Sequence, residues 1–224
     1  MKTIIAMVNF KGGVGKSLHS SMLQSALENS VVVNMDLQDA EKINAGKTVN
    51  VMQYINDGEK ISDIIDIVME ENDIIILDTP GSLSNELVEI IDRIDYFIVP
   101  FQDDEGVIDY TVDTLEAIFN SDFFDSKKEV MLLLNSYVES DDIKTAFQLI
   151  NNEIEKRPNI AKYTNFVQAD FKFSRAIKTI KSSKKTIKEL MKHNYIAYRI
   201  VDKNFETLHN KIKDFIKYTP KKGV

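Results

Sequence analysis

The chain has 224 residues, with 28 lysines and arginines, 35 aspartates and glutamates, and a formal net charge of −7 at pH 7. Its length is typical of one domain with a large core. The absence of cysteine excludes disulfides, zinc–thiolate sites and iron–sulfur clusters. No apolar run reaches the roughly 18 residues that a membrane helix needs, and no signal-peptide pattern opens the chain, so we expect a cytoplasmic protein. The three histidines have no metal-ligand spacing, and a packed or solvated role is expected for each.

A glycine-rich loop between a predicted strand and a predicted helix is the strongest functional signal. The apolar run at residues 3–9 predicts a buried strand, and residues 17–28 predict a helix. The loop between them reads Phe10-Lys11-Gly12-Gly13-Val14-Gly15-Lys16-Ser17. Glycines let backbone N–H groups approach phosphate oxygens, and the helix N-terminus adds positive potential. The segment predicts a phosphate-binding loop, in which Lys16 would reach the β- and γ-phosphates and Ser17 would bind Mg²⁺.

This loop departs from the general P-loop pattern at two places. The pattern begins with a glycine, and counted back from the last glycine that position holds Phe10. The loop also contains a second lysine, Lys11, ahead of the glycines.

Two later strands are predicted to end in acidic residues. The run at 31–36 ends at Asp36, and the run at 73–78 ends at Asp78. A strand of a parallel sheet would deliver Asp78 to the carboxyl edge, where a carboxylate can hold Mg²⁺ through water. Taken alone, either acid could instead face solvent at the end of a strand.

The remaining elements alternate along the chain. Strands are predicted at 95–100, 129–135 and 163–168, and helices at 60–71, 83–93, 106–120 and 140–155. Residues 38–49 are polar and predict a loop that leads to a short helix. Alternation of this kind predicts an α/β fold, a doubly wound, mostly parallel sheet with helices on both faces. No repeat or linker divides the sequence, so one domain is expected over residues 1–224.

The positive charge is concentrated in the last 53 residues. Residues 172–224 contain 15 lysines and arginines and 4 acids, a net charge of +11, whereas residues 1–171 have a net charge of −18. Residues 172–192 contain a single acid, Glu189, and six candidate contacts to DNA phosphates: Arg175, Lys178, Lys181, Lys184, Lys185 and Lys188. No base-reading pattern is evident, so DNA binding should be non-specific. The alternative is a lysine-rich face that only confers solubility.

The last predicted helix is amphipathic. Its apolar positions are Ile196, Ile200, Val201, Phe205, Leu208, Ile212, Phe215 and Ile216. Their spacing of three to four residues favours a stripe that packs against the sheet. The alternative is a helix on a membrane surface, with Lys211, Lys213 and Lys217 beside the apolar face. Against it, Pro220 and the polar residues after it leave no further apolar segment to insert.

These segments together resemble the deviant Walker A ATPases of the ParA/MinD family, most closely the small plasmid-partition ParA proteins. The sequence Lys-Gly-Gly-Val-Gly-Lys-Ser is similar to the deviant Walker A box, and the strand ending at Asp78 is similar to the Walker B strand. Asp36 matches the second acid of the family's Asp-x-Asp-Pro-Gln segment, in which Asn34 replaces the first acid and Leu37 the proline. Leu18 stands where family members usually have a second hydroxyl residue.

The resemblance implies a role for each matched residue. Lys11 would reach the phosphates held by the other subunit of a dimer, and Asp36 would orient the attacking water. Ser17, together with Asp78 through water, would hold Mg²⁺. Asn135 falls where family members often have an adenine-contacting asparagine. The implied ATP-binding residues are Lys11, Gly12, Gly13, Val14, Gly15, Lys16, Ser17, Leu18 and Asn135, and the implied catalytic residues are Lys11, Lys16 and Asp36.

The resemblance also implies a reaction cycle. ATP and Mg²⁺ would drive formation of a homodimer, which would bind non-specific DNA on the nucleoid. A partner protein bound to a centromere-like site would stimulate hydrolysis of ATP to ADP and phosphate, during plasmid or chromosome segregation. Two alternatives stay open: a MinD-like membrane-positioning ATPase, and a nucleotide-gated scaffold with negligible hydrolysis. The second is kept open by the residues Asn34, Leu37 and Leu18.

Overall fold

A seven-stranded parallel sheet organises the part of the chain that the structure describes. The structure, a computed structural model, describes residues 2–36, 47–82, 84–120, 129–163, 166–172, 174, 176–177, 190–192 and 194–220. The strands are β1 Thr3–Met7, β2 Ser30–Asn34, β3 Thr48–Asn50, β4 Ile74–Asp78, β5 Tyr96–Phe101, β6 Glu129–Tyr137 and β7 Val167–Lys172. They are ordered β3-β2-β4-β1-β5-β6-β7, and each adjacent pair is parallel.

The helices connect the strands and cover the sheet. They are α1 Lys16–Gln24, α2 Met52–Asn56, α3 Ile61–Glu71, α4 Asn85–Ile90, α5 Glu105–Phe119, α6 Ser140–Glu155, α7 Pro158–Ala161 and α8 Tyr195–Phe215, with a 3₁₀ turn at Ile91–Arg93. Side chains close the start of several of them: Ser84 caps α4, Asp104 caps α5, and Glu139 and Asp142 form a capping box at α6.

Apolar side chains of the strands pack alternately on the two faces of the sheet, as the two-residue period of a strand requires. On one face Ile4 and Ala6 of β1 belong to the core formed with α3, α4, α5, α6 and α7. On the other face Ile5 and Met7 belong to the core formed with α1 and α8. The predicted doubly wound α/β fold, a parallel sheet with helices on both faces, is therefore confirmed.

Strand β1 lies at the centre of the sheet and determines where the site forms. It pairs with β4 on one side and with β5 on the other. Strands β2, β3 and β4 therefore lie on one side of β1, and strands β5, β6 and β7 lie on the other. The connection from β1 to β2 and the connection from β4 to β5 leave two neighbouring strands in opposite directions. Connections that leave neighbouring strands in opposite directions open a crevice at the carboxyl ends, which is the usual ligand position in such sheets.

Three sequence predictions were wrong in detail. The last strand was expected at residues 163–168, but it is β7, Val167–Lys172. Residues 38–49 were expected to form a loop, but Thr48 and Val49 belong to β3, which pairs with β2. The stripe on the last helix was expected to face the core from its first position, but Ile196 and Ile200 are 77% and 61% exposed. The helix turns by about 100° per residue, which rotates Ile196 by roughly 140° from Val201, and the buried Tyr198 takes the inward position instead.

None of the described helices is both long enough and apolar enough to cross a membrane.

Candidate phosphate-binding site

The glycine-rich segment at residues 10–17, called the phosphate loop below, connects the carboxyl end of β1 to α1 at the central crevice. Gly12 and Gly13 are exposed, and a Cβ added to either would meet no atom within 4 Å. Helix α1 begins after Gly15 without a side-chain cap and without an acidic residue in its first turn. Its first N–H groups are therefore not engaged by a capping side chain, in contrast to those of α4, α5 and α6. They can donate hydrogen bonds to a bound anion.

The start of the phosphate loop is fixed by buried hydrogen bonds. The Asn9 amide donates to the Pro100 carbonyl at 3.0 Å and to the Thr111 hydroxyl at 2.8 Å, and its oxygen accepts from the Lys11 N–H at 2.8 Å. The Phe10 N–H donates to the Thr114 hydroxyl at 2.9 Å. The loop is therefore held against β5 and α5, and its shape does not depend on its own glycines alone.

Lys16 lies buried beneath the loop. Its Nζ donates to the carbonyls of Asn9 at 2.9 Å and Lys11 at 3.0 Å, and so spans the loop from within. Burial lowers the pKa of Lys16, while the charges of Asp78 and Asp36 raise it. The ammonium thus lies close to both acids predicted for the site, at the position where the loop would receive phosphate oxygens.

Asp78 ends β4 and is 5% exposed. Its Oδ1 has no hydrogen-bond partner among the described residues. Burial raises the pKa of Asp78 to about 6, against the opposing effects of the Ser17 hydroxyl and the Lys16 charge. An incompletely satisfied buried carboxylate beside a serine hydroxyl suits a hydrated divalent cation. In the described part of the chain no cluster of three metal-ligating side chains exists, so such a cation would depend on water and ligand oxygens as well.

Asp36 follows β2 and is half-buried. Its backbone N–H donates to the Asn34 side-chain oxygen at 2.9 Å, and Asn34 lies opposite Asp78 in the register of β2 and β4. Asn34, which replaces an acid of the family pattern, therefore positions the backbone of Asp36. The Asp36 charge contributes to raising the pKa of Asp78, which places the two carboxylates in the same electrostatic environment. Leu37 lies outside the described residues.

Lys11 projects from the loop surface and is exposed. Its Nζ lies 5.3 Å from the centre of the Tyr110 ring on α5, within the range of a cation–π contact. Tyr110 is itself 47% exposed, so both groups are accessible to a second molecule that approaches the crevice.

Asn135 lies in β6 and is buried at 4% exposure. Its Nδ2 lies 2.6 Å from the Val14 carbonyl, and its Oδ1 lies 3.0 Å from Nε2 of His19 on α1. The structure thus brings Asn135 to the phosphate loop. Sequence reasoning assigned no site role to His19 or Asn9, because their partners are about a hundred residues away and no local pattern marks them.

The six candidate DNA-binding residues lie outside the described residues. They are Arg175, Lys178, Lys181, Lys184, Lys185 and Lys188. Ile177 and Leu190, near the two ends of this segment, are buried in the core on the α1 and α8 side of the sheet. The exposed side chains of Lys172 and Lys192 lie close to the same segment in the sequence.

Comparison with solved structures identifies the fold, whereas two sequence comparisons find no match. No protein-family model matches the chain, and no curated protein matches it in sequence. Among solved structures, ParA of pNOB8 bound to nonspecific DNA is 12% identical, with a TM-score of 0.68, over 97% of this chain and 99% of that chain. The septum site-determining protein MinD of Pyrococcus horikoshii with Mg-ADP is 14% identical, with a TM-score of 0.67, over 98% and 100%.

A plasmid partition protein from Borrelia burgdorferi is 15% identical, with a TM-score of 0.60, over 96% of this chain and 98% of that chain. At these identities the likeness establishes the fold. The fold predicted by the resemblance, that of the ParA and MinD ATPases, is confirmed.

Proposed function

We propose that this protein is an ATPase of the ParA type, which binds ATP and Mg²⁺, forms a homodimer, binds DNA without sequence preference and hydrolyses ATP when a partner protein stimulates it. Its role would be the segregation or positioning of a DNA cargo. The proposal rests on the buried Lys16 ammonium, which spans the glycine loop, and on the incompletely satisfied carboxylate of Asp78 beside this loop.

The nucleotide would be bound by complementary charges. The N–H groups of the phosphate loop and the first turn of α1 would receive phosphate oxygens, and Lys16 would neutralise part of their charge. Ser17, and Asp78 through water, would hold Mg²⁺, which supplies further positive charge at the transferred phosphate. Asp36, positioned by Asn34, would orient the attacking water. MinD of Pyrococcus horikoshii, with the same fold, is described with Mg-ADP.

Lys11 would act between two subunits. It is exposed on the loop, and its Nζ faces the Tyr110 ring of its own chain. A cation–π contact at an exposed site is worth about 0.5–1 kcal/mol, which is weaker than a charge-assisted hydrogen bond to phosphate. The phosphates of a nucleotide bound to a second subunit would therefore displace the Tyr110 ring from the Lys11 ammonium. Two copies arranged in this way would each complete the other's site.

The DNA contact would be made by the basic residues of the range 172–224. Residues 172–224 have a net charge of +11 on a chain that is otherwise acidic, which favours contact of a polyanion with these residues over the rest of the chain. ParA of pNOB8, with the same fold, is described bound to nonspecific DNA.

A second candidate function is attachment to a membrane surface. Three exposed apolar side chains, Tyr195, Ile196 and Ile200, lie at the start of α8 beside the exposed Arg199. Basic and apolar residues on one helix are typical of interfacial binding. Co-sedimentation with anionic vesicles in the presence of ATP would support this function, and its absence together with DNA binding would support the first.

A titration with a fluorescent ATP analogue tests the proposed site. Lys16→Ala should weaken binding by about 10- to 100-fold or more, because hydrogen bonds to a charged group contribute about 1.5–3 kcal/mol each. Lys156→Ala is the matched control. Lys156 is exposed and follows the carboxyl end of α6, on the side of the sheet where the strands begin, away from the phosphate loop. Equal affinity of the wild type and Lys16→Ala would show that nucleotide does not bind at this loop.

A further inference from the structure

A buried chain of hydrogen bonds ties the middle of the phosphate loop to β6 and α1. It runs from the Val14 carbonyl to Asn135 and from Asn135 to His19, with heavy-atom distances of 2.6 and 3.0 Å. Asn135 is 4% exposed and His19 is 2% exposed. We call these two side chains the Asn135–His19 clasp.

The chemistry of the partners determines the orientation of every group in the clasp. A backbone carbonyl only accepts, so the atom of Asn135 that faces Val14 must be the amide nitrogen. The amide oxygen then faces His19 and can only accept, so His19 must carry its proton on Nε2 and donate. Each group therefore fixes the next, from the Val14 carbonyl through the Asn135 amide to the proton on Nε2 of His19.

The clasp also accounts for the last glycine of the loop. Gly15 has a φ of +105°, and a Cβ at this position would lie 2.5 Å from Nδ2 of Asn135 and 3.3 Å from Cδ2 of His19. The two side chains thus occupy the space that any larger residue would need. They pack directly against the loop backbone at the residue that precedes α1.

The other side of His19 is anchored by aromatic rings. Its imidazole meets Phe171 of β7 and Phe205 of α8 edge-on, with ring centres 5.1 and 6.1 Å apart. Packing on both sides prevents the imidazole from rotating away from Asn135. The loop is therefore held on one side by Asn9 and on the other by the clasp.

We infer that Asn135 and His19 are positioning residues for the phosphate loop, and that Asn135 acts on the phosphate chain of the nucleotide through the Val14 backbone and does not read its base. The inference rests on the proposed function, because it assumes that a phosphate chain binds to this loop. It departs from the adenine contact implied for Asn135 by the resemblance, since the amide oxygen and one of the two amide N–H groups are engaged by protein groups in a buried position.

The test compares a ligand that has a base with one that has none. Affinities for ATP and for inorganic tripolyphosphate, each with Mg²⁺, are measured calorimetrically for the wild type, Asn135→Ala and His19→Phe. A positioning role predicts that Asn135→Ala lowers the affinity for both ligands by the same factor, about tenfold, because the loop loses a buried hydrogen bond. His19→Phe, which keeps the aromatic packing but removes the donor, should also lower the affinity for both ligands equally.

His19→Gln provides the rescue, because its side-chain amide restores a donor towards Asn135 and should recover most of the affinity that His19→Phe loses. Thermal unfolding of each variant is measured in parallel. If Asn135→Ala does not fold, the two His19 variants decide the question.

Three results would overturn the inference. The first is a loss of ATP affinity in Asn135→Ala with unchanged tripolyphosphate affinity, which would mean that Asn135 reads the base. The second is unchanged affinity of His19→Phe for both ligands. The third is a wild type that binds neither ligand, which would overturn the proposed function as well and is distinguishable from the other two.

Discussion

The buried carboxylate of Asp78 should make the ligand-free protein less stable at neutral pH than its amide variant. Burial raises the pKa of Asp78 from an ordinary 3.8 to about 6. Between these values the folded state holds a proton that the unfolded state has released. The stabilisation by this proton is complete below about pH 4, and it is lost as the pH rises from about 4 to about 6.

The size of this effect follows from the two pKa values. They differ by about two, and each pKa unit corresponds to about 1.4 kcal/mol, so ionisation of Asp78 should lower the free energy of unfolding by about 3 kcal/mol. Because Asp78 is 5% exposed, screening by solvent reduces this value little. Asp78→Asn resembles the protonated acid in shape and does not ionise. It should have nearly wild-type stability at pH 4 and be about 3 kcal/mol more stable at pH 7.

The assay is urea unfolding of the wild type and Asp78→Asn between pH 4 and pH 7, without nucleotide or divalent cations. Asp57→Asn, at an exposed site after α2, is the matched control and should follow the wild type at each pH. With ATP and Mg²⁺ the order should reverse, because the variant lacks the carboxylate that would hold the cation. Parallel pH profiles for the wild type and Asp78→Asn, or an amide variant that is less stable at pH 7, would refute the reasoning.

Three further predictions concern the proposed cycle. Lys11→Ala should leave the nucleotide affinity of the monomer within about twofold but remove ATP-dependent dimerisation in light scattering; a variant that dimerises normally would rule out the role between subunits. Asp36→Ala should still dimerise with ATP and lose at least about 100-fold in hydrolysis, as measured by phosphate release, whereas wild-type turnover would remove Asp36 from the mechanism. Charge reversal to glutamate should abolish ATP-dependent gel shifts of unrelated duplexes but spare ATPase activity. The residues reversed are Lys181, Lys184, Lys185 and Lys188. Wild-type binding should weaken with salt, with a log–log slope of about −0.9 per phosphate contact, and salt-independent binding would exclude phosphate contacts.

The sequence predicted those parts of the site that depend on local pattern. The phosphate loop is marked by its own glycines and lysines, and an apolar strand followed by an acid marks Asp78. A strand of three partly buried residues, Thr48–Asn50, has too few positions to show an alternating pattern, so it was not predicted.

The residues that shape the loop could not be predicted, because they act across the fold. Asn9 is 102 residues from its partner Thr111, and Asn135 is 121 residues from Val14. A buried polar side chain of this kind has no periodic signature, and its role is determined by whichever strands the topology places beside it. The exposed Ile196 and Ile200 show a prediction that local pattern made wrongly, because three-to-four spacing alone does not show which of two apolar faces of a helix packs against the sheet.

The central position of β1 has a consequence for how the protein is made. In the register of the sheet, Thr3 pairs with Ile74 and Ile5 pairs with Tyr96. Strand β1 is therefore synthesised before both of its partners, which are translated about 4–18 s later at 5–20 residues per second. Until then its apolar residues are unpaired, and the loop behind it has neither the carbonyl of Pro100 nor the hydroxyls of α5 to hold its shape. The nascent chain cannot assemble the phosphate loop before β5 and α5 have been synthesised.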